Sequence, residues 1–165
     1  MQKHTYVLDT CVLKRICDNE NFAISLKCHM DFDNSNVIVT STALMEAEKH
    51  GYNYPAINEV IRTRLNAQAK YEMITKKQHM DAKNLEDIHP TLHAGDSDML
   101  AFAIDEETTL VTCDKGLAAA AAQAKCHCIN PDTLPCDTYR RPLGAYEAIV
   151  KKTIKAEEIS ITLQN

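Results

Sequence analysis

At 165 residues with a formal net charge of −5, the chain is sized for one domain with a real core. It lacks the bulk positive field by which many proteins grip nucleic acid, although acids grouped for a metal would shift the count the same way. Hydrophobic residues at 45% and charged ones at 25% fit an ordinary soluble globular protein, and no apolar run approaches the roughly 18 residues of a membrane span.

The first expected element is a strand over residues 4–8, where Thr5-Tyr6-Val7-Leu8 runs into Asp9. Asp9 or Thr10 can cap the helix that follows, with Val12, Leu13 and Ile16 as its apolar face. Polar Asp18-Asn19-Glu20-Asn21 breaks or kinks that helix, and Phe22, Ile24, Leu26 and Met30 resume it before a turn over 31–36. Val37-Ile38-Val39-Thr40 is the second strand, a β-branched run of the kind buried on both faces of a parallel sheet. Ser41 or Thr42 then opens a helix carrying Leu44, Met45, Glu46 and Glu48, which ends at Gly51.

From Tyr52 to His93 the patterning is helical throughout, with Pro55 and Pro90 near its edges, which predicts two helices forming an arm on the sheet. Its basic residues Arg62, Arg64, Lys76 and Lys77 read as a solvated helix face or as phosphate contacts to a substrate. A helix is predicted over 96–107, a strand over 109–113, an alanine-rich helix through Ala118–Ala124 and a last short strand at Cys126–Ile129. Strands alternating with helices imply a parallel sheet with right-handed crossovers. The expected fold is a three-layer α/β/α sandwich around a mostly parallel sheet of four or five strands, plus the arm. Residues 1–138 form its body, and 139–165 add a helix and strand packed on the same domain.

The seven cysteines are odd in number and lack disulfide-framework spacing, and no signal-peptide pattern precedes them. They read as reduced thiols of a cytoplasmic protein. Cys126, Cys128 and Cys136 with His127 do not make a zinc site, because C-x-C on a strand lacks a second paired half.

The acids carry the chemistry. Asp9 ends the first strand, Glu46 lies in the helix after the second, Asp96 and Asp98 open a later helix, and Asp114 follows the strand Leu110-Val111-Thr112. With the first strand central, Asp9 and Asp114 face each other across a topological switch point, where α/β proteins keep their sites. Carboxylates gathered without Arg or Lys repel unless a divalent cation neutralises them, and hard oxygen ligands select magnesium or manganese. Such an ion can drive phosphodiester hydrolysis by activating water and stabilising the transition state. Asp96 and Asp98 lie about 200° apart on a helix, so at most one points squarely into the site. Asp96 is taken as that residue and Asp98 as an outer member of the metal set.

In Tyr6-Val7-Leu8-Asp9-Thr10, Glu46, Gly95-Asp96-x-Asp98 with its Ala-rich helix, and Leu110-Val111-Thr112-x-Asp114, the sequence resembles the PIN-domain ribonucleases, most closely the toxin-like VapC group. The match spans residues 4 to about 134. The resemblance implies a magnesium- or manganese-dependent nuclease cutting single-stranded or looped RNA, with Asp9, Glu46, Asp96 and Asp114 as metal-site acids. It makes Thr112 a supporting hydroxyl, beside which Thr10 serves as a second support or as a plain helix cap. Cys11 stands where the family commonly has Asn or Ser. A toxin would have an antitoxin partner inserting a segment into the acidic cleft, and homodimers are common in the family. Other readings are a structure-specific DNA nuclease, a non-toxin RNA-processing enzyme, a PIN-like scaffold that binds without cutting, and, least well matched, a phosphoaspartate receiver.

Overall fold

The computed structural model describes residues 4–33 and 35–134. The helix and strand expected beyond residue 139 lie outside the described residues. Five strands, β1 (His4–Leu8), β2 (Ser35–Thr40), β3 (Ala69–Glu72), β4 (Thr109–Val111) and β5 (Cys128–Ile129), form one sheet in the order β3-β2-β1-β4-β5. Every pairing is parallel, and Val7 at the centre of β1 stands opposite Ile38 on one side and Leu110 on the other. The buried run Val7, Leu8, Val39, Leu110 and Val111 forms the middle of the core, as continuous apolar strands of a covered parallel sheet should.

Among the described residues seven α-helices join the strands: α1 (Thr10–Asp18), α2 (Glu20–His29), α3 (Ser41–Lys49), α4 (Tyr54–Val60), α5 (Lys76–Ile88), α6 (Ala94–Asp105) and α7 (Lys115–Gln123). The chain builds outward from β1 through β2 to β3, then crosses back to place β4 on the other side of β1. Right-handed crossovers in these two directions send α1–α4 to one face and α5–α7 to the other. The polar break after α1 is a true stop: Asn19 leaves helical geometry, and its side chain accepts from Phe22 N at 3.1 Å to start α2. At the end of α3, Gly51 takes φ +91° with open space where a side chain would be, the left-handed geometry that ends helices.

The stretch from 52 to 93 differs from expectation, because β3 lies inside it and pairs in register with β2 from Val37–Ala69 to Thr40–Glu72. Ala69-Lys70-Tyr71-Glu72 has no β-branched run and no buried alternation. An edge strand needs only the ladder offered by its neighbour, so its side chains carry little signal. The expected arm is therefore largely a crossover packed into the domain. Between α4 and β3 a π-helical turn, Ile61–Leu65, buries Ile61 and Leu65 and ends at Asn66 with φ 55°. From this turn Arg64 Nη1 donates to the carbonyls of Ile16 and Cys17 at 2.8 and 2.9 Å, capping the end of α1. Helix α6 begins two residues before the predicted start, and β4 stops two residues before its predicted end.

Candidate active site

Asp9 is placed by the sheet. Its backbone N–H donates to Val111 O on β4 at 2.9 Å, extending the ladder by one step beyond β1. Its side chain then turns to cap α1, with Oδ1 accepting from Thr10 N at 2.8 Å. Oδ2 accepts from Thr112 Oγ1 at 2.6 Å and from the Cys11 thiol at 3.4 Å. Asp9 is only 5% exposed. Burial pushes its carboxyl above the ordinary value; the hydrogen bonds from Thr112, Thr10 and Cys11 oppose this, and the charge of Glu46 adds to it.

Asp114 is placed by the neighbouring strand. It caps α7 through Oδ1, which accepts from Leu117 N at 2.9 Å, and its own N–H donates to Thr112 Oγ1 at 3.0 Å. One hydroxyl therefore ties the Asp9 carboxylate to the Asp114 backbone. Gly116 leaves room for this turn, since a Cβ there would sit 3.2 Å from Asp114 Oδ1.

Glu46 and Asp96 arrive from helices. Thr40 caps α3 by accepting from Ala43 N at 3.2 Å, and Glu46 follows on that helix. Asp96 lies in the first turn of α6. Gly95 sits where the two helices approach; a Cβ there would lie 3.7 Å from both Glu46 Oε2 and Thr42 Cγ2. Asp9, Glu46, Asp96 and Asp114 line one cleft of about 310 Å³, with Thr10 and Cys11 in its wall and Lys14, His50 and His93 also among the lining. Burial pushes Asp96 up to about 6, reinforced by the charges of Asp9, Asp114 and Glu46 and opposed by His93. Four acids feel one another electrostatically.

A family model described as PIN domain matches residues 6–123. The chain belongs to the PIN domain family. PIN domains are typically metal-dependent nucleases. The crystal structure of FitAcB from Neisseria gonorrhoeae is similar in fold, with a TM-score of 0.56 and 16% identity over 78% of this chain and 99% of that one. No curated protein matches the sequence.

In this PIN domain Asp98 stands apart from the cleft lining. Its Oδ1 lies 2.9 Å from His79 Nδ1 on α5, and its Oδ2 accepts from Thr42 Oγ1 at 3.1 Å. Thr10 Oγ1 donates to Ala43 O at 3.4 Å, linking α1 to α3. The basic residues of the crossover do not line the cleft. Arg62 pairs with Glu59, Lys77 with Asp81 and Asp105, Arg64 caps α1, and Lys76 is exposed at the start of α5. The nitrogen-bearing side chains that do line the cleft, Lys14, His50 and His93, are not among the expected site residues. Lys14 follows Thr10 by one helical turn, a usable signal. His93 is the N-cap position three residues before Asp96.

Cys11 lies in the wall, and Cys113 sits against it outside the lining. Cys113 N donates to Cys11 Sγ at 3.4 Å, and Arg15 Nη1 lies 3.1 Å from Cys113 Sγ. The hydrogen bond from Cys11, then the Arg15 charge, lowers the Cys113 thiol's pKa against the effect of burial, while the same bond raises Cys11.

Among the described residues, no group of three or more His, Cys, Asp or Glu side chains closes into a ready-made metal site. The donor set nevertheless fits a hard divalent cation. It consists of carboxylate oxygens, none of the four acids is in an ion pair among the described residues, and their mutual repulsion is what such an ion relieves.

Proposed function

We propose that this PIN domain is a magnesium- or manganese-dependent endoribonuclease that hydrolyses phosphodiester bonds in single-stranded or looped RNA. The observation that carries this reading is the convergence of Asp9, Glu46, Asp96 and Asp114 on one cleft, with no salt-bridge partner among the described residues. These four side chains would hold the ion. Bound there, a divalent cation supplies charge to stabilise the phosphoryl oxygens in the transition state and makes a nearby water more acidic.

The remaining roles belong to the chain. Thr112 Oγ1 orients Asp9 by donating to Oδ2 while accepting from Asp114 N, which keeps the two acids in fixed relation. Thr10 N holds the other Asp9 oxygen. Lys14, on the cleft without an ion pair among the described residues, contacts substrate phosphate and orients it. Asp98 is an outer member of the set, holding Thr42 and His79 rather than entering the cleft.

The VapC-like pattern extends this reading to the toxin of a toxin–antitoxin pair, with a cytoplasmic location and an antitoxin segment entering the cleft. No described helix is long and apolar enough to cross a membrane. Exposed Met73, Met80 and Ile88 on the crossover give an apolar surface suited to a homodimer.

The test is cleavage of a mixed structured RNA and a matched DNA with manganese or magnesium, using chelator and Asp96→Asn as controls. RNA cutting that needs metal and is absent from the variant is the expected result. No cutting, together with no metal bound by calorimetry, would leave a scaffold that binds without cleaving. Cutting of the DNA alone would replace the substrate class.

A further inference from the structure

The acids leave one chemical feature at the cleft unused, the pair formed by Cys11, which lines it, and Cys113 beside it. These residues are 102 apart in sequence and meet because β1 and β4 are neighbours, so the pair sits on the seam that carries Asp9 and Asp114. Cys113 N donates to Cys11 Sγ at 3.4 Å, which seats the Cys11 sulfur against the Cys113 backbone. Both are free, half-buried thiols. Cys11 Sγ also lies 3.4 Å from Asp9 Oδ2 and 3.8 Å from Thr112 Oγ1, the two atoms whose bond orients Asp9. On the outer side, Arg15 Nη1 holds the Cys113 sulfur at 3.1 Å.

We propose that Cys11 and Cys113 are a modification site, an oxidisable dithiol at the edge of the cleft that a peroxide closes to a disulfide, weakening metal binding at the adjacent acids. The second half of this inference rests on the nuclease reading; formation of the disulfide does not. In the step, one sulfur attacks a peroxide oxygen, the O–O bond breaks, and a sulfenic acid and one water form. The other sulfur attacks the sulfenic sulfur; the S–S bond forms, the S–O bond breaks, and hydroxide leaves with the second thiol proton as water. Two thiols lose two electrons and hydrogen peroxide gains them, giving two waters in all. A dithiol reductant reverses the bond. Once sulfur is bonded to sulfur, Cys11 has no hydrogen to donate, and Asp9 Oδ2 retains the Thr112 bond alone. Loss of a partner that orients a ligand lowers metal affinity by roughly 10- to 100-fold.

The experiment treats the full chain with hydrogen peroxide and maps it by non-reducing trypsin digestion and mass spectrometry. The tryptic peptides 4–14 and 84–115 each hold a single cysteine, Cys11 and Cys113, so a cross-link between them identifies the pair. The expected result is that cross-link as the main product, with manganese affinity by calorimetry falling roughly 10- to 100-fold and returning with dithiothreitol. Cys113→Ser, compared with its own untreated state, should form no such cross-link and keep its manganese affinity under peroxide. Oxidation without this cross-link, or cross-links confined to the other cysteines, overturns the site. A cross-link that leaves manganese binding and RNA cleavage unchanged overturns its control of the cleft. If the reduced protein neither binds manganese nor cuts RNA, the nuclease reading falls with that control, and the peptide map still decides whether the dithiol exists.

Discussion

The sheet side of the cleft holds Asp9 and Asp114 beyond the ends of neighbouring strands, and Thr112 bonds to both within 3.0 Å. The helix side holds Glu46 and Asp96 on α3 and α6, two helices bridged through other side chains, with Thr42 donating to Asp98 at 3.1 Å. On the first side, strand order alone brings the acids together, and short hydrogen bonds then fix them. On the second, position depends on how closely two helices pack at Gly95. The difference teaches where charge is concentrated without compensation. Asp9 draws three hydrogen-bond donors, whereas Asp96 feels burial, three like charges and one histidine.

Replacing the least compensated acid should have the largest effect. Asp96→Asn keeps the size and removes a charge, so metal binding and cleavage should drop to background while circular dichroism stays native. Stability should change in the opposite sense. Because the folded carboxyl is raised from 3.8 to about 6, the folded state binds the extra proton in that window. The stabilisation this gives is complete below the ordinary carboxyl value and is lost as pH rises through about 6. At pH 7 without metal, the neutral amide should therefore raise the melting temperature by roughly 2–4 °C, the shift of about 1 kcal/mol in a protein of this size. Near pH 4 the gain should vanish. A wild-type cleavage rate in the variant would remove Asp96 from the site.

Thr112→Val tests the strap on the sheet side. It leaves Asp9 Oδ2 and Asp114 N each without the hydroxyl, so manganese affinity should fall roughly 10- to 100-fold. Stability should drop by about 1–3 kcal/mol, the cost of a buried polar group losing its partner. Thr112→Ser should recover most of both in calorimetry and urea denaturation. If valine proves harmless, the strand ends alone position Asp9 and Asp114.

Asp98→Asn should be milder than either. An asparagine can accept from Thr42 and donate to a neutral His79 ring, keeping the bridge between α3, α5 and α6. Cleavage should fall by less than about tenfold, below the range typical of an orienting partner that is lost outright. A loss equal to that of Asp96→Asn would make both acids metal ligands and erase the distinction drawn between them.

Much of the sheet side was legible in the sequence because its signals are local. An apolar β-branched strand, an acid at its end and a helix directly after define the carboxyl edge of a parallel sheet; β1 and β4 follow that grammar, while β2 ends at Thr40 and its acid, Glu46, comes from the helix after it. The separation of Asp96 from Asp98 follows from helical angle alone. Strand β3 escaped because Ala69-Lys70-Tyr71-Glu72 owes its conformation to the free edge of β2. Lys14 and His93 were not expected to line the cleft, because the direction a side chain takes is set by packing; the more conspicuous basic residues lie between 62 and 77. The meeting of Cys11 with Cys113 depends on a strand neighbour 102 residues away, and only the sheet order brings it into view.

The smallest effects should come from those conspicuous basic residues. Arg62 is exposed and paired with Glu59 one turn earlier at 2.6 Å, an arrangement that solvent screens and that adds little to stability. Arg62→Ala should leave melting and cleavage within error. Arg64 caps the end of α1 through two carbonyls, so Arg64→Ala should cost about 1–3 kcal/mol, the range for hydrogen bonds from a charged group. Its KM for RNA should not change. Lys14→Ala supplies the contrast, with unchanged stability and a KM raised several-fold by loss of a phosphate contact. A KM increase in Arg62→Ala or Arg64→Ala that matched Lys14→Ala would extend the RNA path from the cleft across the π-helical turn.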